Sequence, residues 1–227
     1  MQGISGDTLT KLGTAIVSGE YQPGSVLRAD ELAESLGVSR TVIREVVRVL
    51  ETMRLVSSRR RVGVTVRPAS AWNSYDPLVI RWRLAGSGRA EQLRSLTELR
   101  SAVEPMAARL AAGRANAEQC GRLVGLAVRL ATAAKARDLE SFLAHDIEFH
   151  QVVLAASGNP MFAQLDDVVA EVLSGRTHYH LMPSEPQPAA VRWHTEVAEA
   201  INCAEPDRAE QAMSAIATQA LDEMTEL

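Results

Sequence analysis

The chain has few aromatic residues, only two cysteines and no apolar run of bilayer length. Aromatic side chains make up 4% of the 227 residues, so alanine, valine and leucine must form most of the core, which favours packing of helix on helix. Cys120 and Cys203 have no metal-binding spacing, and we expect both to be reduced packing residues. No segment approaches the roughly 20 apolar residues of a membrane span, and the N-terminus has no signal-peptide pattern. These absences predict a globular cytoplasmic protein.

The formal charge of −4 is unevenly distributed along the chain. Residues 1–68 contain ten lysines and arginines against seven acids, whereas the remaining residues contain 14 against 21. Within residues 39–67 there are eight arginines against two acids, Glu45 and Glu51. An acidic chain that concentrates positive charge in one short segment has a local surface suited to a polyanion.

Residues 29–53 have the pattern of two helices joined by a tight turn. Ala29–Leu36 is a short amphipathic helix, Gly37 is placed to end it, and Ser39 is placed to cap the next helix, roughly Arg40–Met53. At 100° per residue, three arginines of the second helix fall within a sector of about 80°, and apolar residues fill the opposite side. The arginines are Arg40, Arg44 and Arg48; the apolar residues are Val42, Ile43, Val46, Val47, Val49, Leu50 and Met53.

A basic hairpin is predicted after the second helix. Leu55 and Val56 begin an extended segment, Ser57–Arg61 form the turn, and residues 62–66 return as a β-branched strand. This order of elements is typical of a winged helix-turn-helix, whose second helix enters the major groove of DNA. The less specific interpretation is an ordinary solvated surface helix, and the concentrated positive charge argues against it.

Three segments are predicted along the chain, and the fold class is mainly α. Residues 1–68 form a winged helix-turn-helix DNA-binding domain with a small β-hairpin wing, and its first helix spans residues 7–18. Residues 69–88 form a linker with a short helix from Pro77 to Leu84. Residues 89–227 form an all-α antiparallel bundle for effector binding and dimerisation. Its helices are predicted near 89–112, 117–136, 138–156, 160–180, 188–203 and 206–225.

The predicted bundle contains all five histidines of the chain. Asp146 and His150 are four residues apart and share one helix face, and His194 lies on a later helix. One carboxylate and two imidazoles are a suitable ligand set for a divalent cation. The alternative interpretation is that Asp146 and His150 form a surface pair and that His194 is unrelated to them.

Several short motifs occur in the order seen in one known family. They are Ile16-x2-Gly19-x-Tyr21-x-Pro23-Gly24, the segment Glu31–Glu45, Gly63, the segment Leu99–Ala112, Asp146-x2-Phe149-His150 and His194-x6-Ile201. With these motifs the chain resembles the GntR superfamily of bacterial transcription regulators, FadR subgroup, with an FCD effector domain. Trp72-Asn73-x2-Asp76-Pro77 followed by Arg81-Trp82 is most similar to the branch that regulates sugar-acid, galactonate-like catabolism.

The resemblance implies that the second helix and the wing contact operator DNA. One or two arginines would bind guanine edges and the others phosphates, while a wing glycine would allow close backbone approach. A palindromic operator then requires a homodimer, because two recognition helices must lie about one helical turn apart. The matching positions are Ser39, Arg40, Thr41, Arg44, Arg48, Arg60, Arg61 and Gly63.

The resemblance also implies a metal site, since many members hold a divalent metal with one aspartate and three histidines. Asp146, His150 and His194 match three of these positions, and Ile216 stands at the fourth. Three ligands would hold a Zn- or Ni-like ion with an open position for water or an effector carboxylate. Alternatively, the pocket is metal-free and the same residues hydrogen-bond the effector directly.

An anionic effector requires a cation in the pocket. Arg100 stands at a position that faces inward in the family, and Arg176 lies on the helix before His178 and His180. An arginine fork suits a carboxylate better than a lysine does. The effector-binding set expected from the resemblance is Arg100, Asp146, His150, Arg176 and His194.

The leading hypothesis is a ligand-responsive regulator, a repressor of a catabolic operon with a small carboxylate effector such as a sugar acid. A second hypothesis is a metal-dependent hydrolase that uses Asp146, His150 and His194 to activate water, although it leaves the arginine helix unexplained. A third is a protein–protein adaptor with a degenerate winged helix, because Glu45 and Glu51 dilute the positive charge.

Overall fold

The computed structural model describes residues 3–59, 63–178 and 187–225. The chain divides into two compact units, Met1–Arg89 and Ala90–Leu227. Helices dominate both units, so the predicted fold class is confirmed. Among the described residues, no helix is long and apolar enough to cross a membrane.

The first unit is a helix-turn-helix with a small sheet. Its helices are α1 (Ile4–Val17), α2 (Ala29–Leu36), α3 (Arg40–Thr52) and α4 (Pro77–Ala85), and its strands are β1 (Val26–Leu27), β2 (Val56–Arg59) and β3 (Gly63–Val66). The strands pair antiparallel in the order β1-β3-β2. The winged helix-turn-helix predicted from the sequence is therefore confirmed, with α1 starting three residues earlier than expected.

The turn between α2 and α3 follows the predicted chemistry. Gly37 ends α2 in the left-handed conformation, with φ 64°, which costs a residue without a Cβ little. Ser39 is extended, and its Oγ accepts a hydrogen bond from the backbone N–H of Val42 at 3.3 Å. These two residues fix where α3 begins and therefore which of its side chains face outward.

The wing differs from the prediction in two respects. Ser57, Ser58 and Arg59 were predicted in the turn but pair with β3, so the hairpin strand extends further. Val26 and Leu27 were not predicted as a strand, yet they pair with the other side of β3. Gly63 has φ 112°, and a Cβ there would lie 2.9 Å from Val26 Cγ1. Glycine is needed at residue 63 for packing within the sheet itself.

The segment 69–88, predicted as a linker, packs within the first unit. Helix α4 begins after Asp76, whose side chain accepts hydrogen bonds from the N–H groups of the first turn. The Trp82 ring is buried against α1, where a Cβ on Gly13 would overlap it. The indole N–H of Trp72 donates to the Arg67 carbonyl oxygen at 2.9 Å. These contacts join the segment to the core under the winged helix.

The second unit is entirely helical in its described residues. Its helices are α5 (Arg89–Arg114), α6 (Ala117–Ala136), α7 (Leu139–Ala156), α8 (Pro160–Ala163), α9 (Asp166–His178), α10 (Pro188–Asn202) and α11 (Pro206–Thr225). The helix predicted over 160–180 is broken, because α8 ends at Ala163 and α9 begins at Asp166. Asn159 caps the first piece, and Asp166 and Asp167 supply the acids that favour a new helix start. Residues 179 and 180 lie outside the described residues.

Small aliphatic side chains form most of the core of the second unit, and Phe149 is fully buried among them. The same interior contains charged groups from several helices: Arg100, Glu104, Asp146, His150, Arg176 and His194 are all buried. A buried charge is strongly disfavoured unless it is paired. The helices of this unit therefore position a polar cluster within an apolar core.

Gly13→Ala should destabilise the first unit by about 1–3 kcal/mol, because the added methyl group must displace the Trp82 ring. The control is Gly113→Ala, also within a helix but with no atom near the new Cβ, which should stabilise by up to about 1 kcal/mol. Urea denaturation followed by circular dichroism measures both effects. Equal stabilisation by the two substitutions would show that α1 and α4 do not pack as described.

Candidate functional site

The first candidate site is the outer face of α3. Arg40, Arg44 and Arg48 are all exposed on this face. The guanidinium of Arg40 lies 2.8 Å from Asp30 on α2, and both side chains are largely exposed. No carboxylate among the described residues pairs with Arg44 or Arg48. Two guanidinium groups one helical turn apart are thus available to a ligand.

The two acids of this region are held by neighbouring elements. Glu45 accepts a hydrogen bond from Ser5 Oγ of α1 at 3.3 Å. Glu51 accepts one from the backbone N–H of Ser58 in β2 at 2.6 Å, which joins the end of α3 to the wing. Neither acid neutralises the arginine face, so the expected dilution of its charge does not occur at contact distance.

The structure describes three of the five other residues expected at the DNA surface. Ser39 and Thr41 are exposed at the start of α3, and the hydroxyl of Ser39 is already used as the helix cap. Gly63 lies at the start of β3. Arg60 and Arg61 lie outside the described residues.

The second candidate site is the buried polar cluster of the second unit. It draws Arg100 and Glu104 from α5, Asp146 and His150 from α7, Arg176 from α9 and His194 from α10. The interpretation of Asp146 and His150 as a surface pair is wrong, because both side chains are almost completely buried. Five of these six residues were expected from the sequence, and the structure brings all six into one region.

Arg100 forms a two-pronged ion pair with Glu104, one helical turn further along α5. Its Nε and Nη2 donate to the two carboxylate oxygens at 2.7 and 3.1 Å. The remaining nitrogen, Nη1, has no hydrogen-bond partner among the described residues. The fork expected to bind an effector is therefore largely occupied, and one donor of Arg100 remains.

Glu104 also faces His150, whose Nδ1 lies 3.0 Å from Glu104 Oε2. Burial alone would raise the pKa of the Glu104 carboxyl, but Arg100 and then His150 outweigh it and hold that pKa at about 2. Burial alone would lower the pKa of His150, but Glu104 and Asp146 outweigh it and raise that pKa to about 9. His150 therefore lies between two carboxylates that favour its protonated form, whereas Arg100 Nη2, 3.3 Å from His150 Nε2, opposes that form.

Asp146 and His194 meet on the other side of His150. Oδ1 of Asp146 lies 2.9 Å from His194 Nε2 and 3.5 Å from His150 Nε2. Burial opposes ionisation of Asp146, but the two histidines hold its pKa well below the usual range. His194 Nδ1 lies 2.7 Å from the Ala190 carbonyl oxygen, to which it donates. When the ring is neutral, Nδ1 carries its single proton, so Nε2 has a lone pair that is directed at the carboxylate of Asp146.

The donor atoms of Asp146, His150 and His194 fit a divalent cation. One ligand atom from each residue lies within 4.8 Å of the other two. Asp146 Oδ1 and His194 Nε2 lack a hydrogen-bond partner within the described parts of the chain, despite their short separation. A lone pair facing a carboxylate oxygen is stabilised by a cation between them. Binding there would also require His150 to lose its proton.

A cavity of about 40 Å³ adjoins these donor atoms. Arg100, Arg176, Ile216 and Gln219 are among the residues that line it. This volume accommodates an ion or a few water molecules, whereas ligand sites for small organic molecules typically measure about 300–1,000 Å³. Ile216, which stands where the resemblance implies a fourth histidine, forms part of the cavity wall.

Glu104 is the member of the cluster that the sequence did not predict. Its spacing of four residues from Arg100 was visible, and the two lie in the quoted Leu99–Ala112 motif. Pairs at this spacing are usually solvated surface pairs, so the spacing alone does not indicate burial. The burial of Arg100 would have required an acid near it, and Glu104 is one turn away.

Comparison with known protein families identifies both units. Residues 6–66 match the family described as bacterial regulatory proteins, gntR family, and residues 95–219 match the FCD domain. The chain therefore belongs to the GntR family of bacterial transcriptional regulators and contains an FCD domain.

Known relatives agree with this assignment along the full chain. The galactonate operon transcriptional repressor of Escherichia coli K12 is 34% identical over 219 residues, covering 94% of this chain and 95% of the relative. The solved structure of a Streptococcus agalactiae GntR protein has 26% identity and a TM-score of 0.52, covering 96% and 99% of the two chains. The structure of Lar, which controls the Listeria monocytogenes agr system, has a TM-score of 0.66 at 16% identity, covering 100% and 99%, which supports the fold alone.

The family and its relatives are transcriptional regulators, so this chain is a DNA-binding regulator and not an enzyme. The alternative of a metal-dependent hydrolase finds no support in these comparisons. The buried polar cluster is therefore a candidate ligand site.

Glu104→Gln should destabilise the second unit by about 3–5 kcal/mol, because it leaves buried Arg100 and His150 without their shared carboxylate. Chemical denaturation of both proteins at neutral pH measures the difference. The control is Glu98→Gln, which removes an exposed carboxylate from the same helix and should leave stability unchanged. Equal effects of the two substitutions would show that the Arg100–Glu104 pair does not stabilise the fold.

Proposed function

We propose that this protein is a ligand-responsive repressor of a catabolic operon, which binds its operator as a homodimer and responds to a small carboxylate. The observation on which this depends is the arginine face of α3, where Arg44 and Arg48 are exposed and unpaired within the described chain. A buried polar cluster in a separate helical unit supplies the second requirement, a site for a signal molecule.

The arginine face suits the major groove. Arg44 and Arg48 are about 6 Å apart along the helix axis, so one can bind a guanine edge while the other binds a phosphate. Arg40 pairs with Asp30 at an exposed position, where an ion pair contributes little and can be exchanged for a phosphate contact. Ser39 and Thr41 at the helix N-terminus add phosphate contacts, and Arg60, Arg61 and Gly63 of the wing contact the neighbouring groove.

The effector is a small carboxylate, and a sugar acid is the best-supported class. Two arginines line the cavity: Arg100 has one donor without a partner in the described residues, and Arg176 is buried on α9. Asp146 and the histidines suit hydroxyl groups of the same molecule. The relative that represses a galactonate operon supports this class, since galactonate is a polyhydroxylated carboxylate.

Asp146, His150 and His194 would hold a Zn- or Ni-like divalent metal ion. Bound there, the ion would supply positive charge and an open coordination position for a carboxylate or hydroxyl oxygen. Glu104 would orient His150, and the Ala190 carbonyl would orient His194, as outer partners of metal-bound histidines commonly do. Ile216 leaves the site with three protein ligands.

Effector binding must change the conformation of the second unit. A sugar acid does not fit a cavity of about 40 Å³, so the helices that line the cavity must separate to admit it. A ligand that binds only the open conformation shifts the population towards it. Such a shift is the physical basis on which an effector would alter operator binding.

Arg44→Ala should weaken operator binding by about 1–3 kcal/mol with the fold intact, because it removes a groove contact. Gel-shift titration on DNA from upstream of the gene gives the affinity. The control is Arg94→Ala, which removes an exposed arginine from α5 in the other unit and should leave affinity unchanged. Unchanged binding by Arg44→Ala would exclude α3 as the recognition helix.

Ile216→His should strengthen Zn²⁺ or Ni²⁺ binding by on the order of tenfold or more, because it adds a fourth ligand beside the three existing ones. His150→Ala should weaken the same binding. Calorimetric titration of the chelator-treated protein measures both, and Ile216→Leu controls for the change in volume. If none of these substitutions alters metal binding, the cluster is not the metal site.

A further inference from the structure

Glu51 lies on the arginine face of α3, where a negative charge is unfavourable for two reasons. At 100° per residue it is about 20° from Arg40 around the helix axis, within the sector that the arginines occupy. A carboxylate there repels the phosphates of a bound duplex. Glu51 also stands in the last turn of α3 (Arg40–Thr52), where the negative end of the helix dipole disfavours an acid. Some compensating contact is therefore expected at this residue.

The compensating contact is with the wing and not with a neighbouring arginine. Oε1 of Glu51 accepts a hydrogen bond from the backbone N–H of Ser58 at 2.6 Å. Arg48 is one turn earlier on the same face, yet it forms no ion pair with Glu51 in the part of the chain that the structure describes. Exposed ion pairs at this spacing are common on helices. The carboxylate therefore joins two elements instead of forming a pair within α3.

Ser58 belongs to the half of β2 that the apolar core does not hold. Strand β2 lies at one edge of the three-stranded sheet, and Ser58 pairs there with Val64 of β3. Val56, at the start of β2, is buried in the core of the first unit, whereas Ser58 and Arg59 are exposed. The N–H groups on the outer side of an edge strand have no strand to bond. Glu51 supplies an acceptor to one of them.

The connection between α3 and β2 gives this contact a geometric role. Three residues separate the two elements, and the middle one, Arg54, has φ 62°. This left-handed conformation is disfavoured for a residue with a Cβ, so the direction in which the chain leaves α3 is not one that Arg54 would adopt unaided. The bond between Glu51 and Ser58, seven residues apart in sequence, bridges the connection and opposes its relaxation.

We infer that Glu51 is a positioning residue for DNA binding, which holds the wing at the angle to α3 that lets both elements contact the operator. The inference rests on the proposed function, because that function assigns α3 to one groove and the wing to the neighbouring groove. Two contacts on one rigid frame bind more tightly than two that move independently. Ser58 directly precedes the run Arg59–Arg61, so the bond fixes the strand that leads into these arginines.

Substitution of Glu51 separates positioning from charge. Glu51→Ala removes both the charge and the bond, and it should weaken operator binding about two- to tenfold, the range that one hydrogen bond contributes. Removal of a repulsive charge alone would instead strengthen binding. Glu51→Gln keeps the acceptor oxygen, and it should bind at least as tightly as the unmodified protein. Gel-shift titration of the full-length protein on operator DNA measures these affinities.

Three further measurements distinguish positioning from a loss of fold. Glu45→Ala is the matched control, since the Glu45 carboxylate is on the same helix but bonds to Ser5 of α1, and it should not weaken binding. Hydroxyl-radical footprinting of Glu51→Ala should lose protection of the DNA backbone at the wing contacts and keep that at the α3 contacts. Amide exchange at Ser58, followed by NMR without DNA, should be faster in Glu51→Ala than in Glu51→Gln.

The results that overturn the inference differ from those that overturn the proposed function. Tighter or unchanged binding by Glu51→Ala overturns the inference, and so does equal weakening by Glu51→Gln, because the acceptor oxygen would then have no part in binding. Uniform loss of protection across the operator assigns Glu51 a structural role, which overturns the inference while the proposed function stands. Failure of the proposed function would appear in the unmodified protein, as the absence of a protected operator, and would overturn the inference as well.

Discussion

The second unit depends on the balance of charge among Arg100, Glu104, Asp146 and His150. Each of these groups is buried, and transfer of a charge from water into an apolar core costs several kcal/mol. Arg100 and His150 lie at hydrogen-bonding or ion-pair distance from the two carboxylates, and these contacts offset the cost. Because the members come from α5 and α7, the cluster also fixes how these two helices align.

A balanced cluster is sensitive to any charged ligand. A divalent metal would add positive charge and release the proton of His150, whereas a carboxylate effector would add negative charge beside Glu104 and Asp146. Either ligand alone changes the charge balance that holds the helices together. Under the proposed function, this property explains how a small ion or molecule would alter the packing of a whole helical unit, because the ion pairs that it disturbs are also the contacts between helices.

Helix ends that depend on neighbouring residues were predicted well from the sequence, whereas packing between distant segments was not. The Gly37 turn and the Ser39 cap depend on neighbouring residues, so their positions followed from the residue types. The docking of segment 69–88 depends on the fit between Gly13 and Trp82, which are 69 positions apart and give no periodic signal. The three expected metal ligands were found together, but the partner of Arg100 was missed because spacing does not reveal burial.

The two units contain arginines and acids at similar spacing, yet use them in opposite ways. In α5, Glu104 lies one turn from Arg100 and is buried with it, so few other groups can pair with Arg100. In α3 the acids are directed to Ser5 and Ser58 of neighbouring elements, so Arg44 and Arg48 keep their donors. A count of charges treats these arrangements as equivalent. Their difference arises from tertiary contacts, which decide whether an arginine stabilises the protein interior or remains available to DNA.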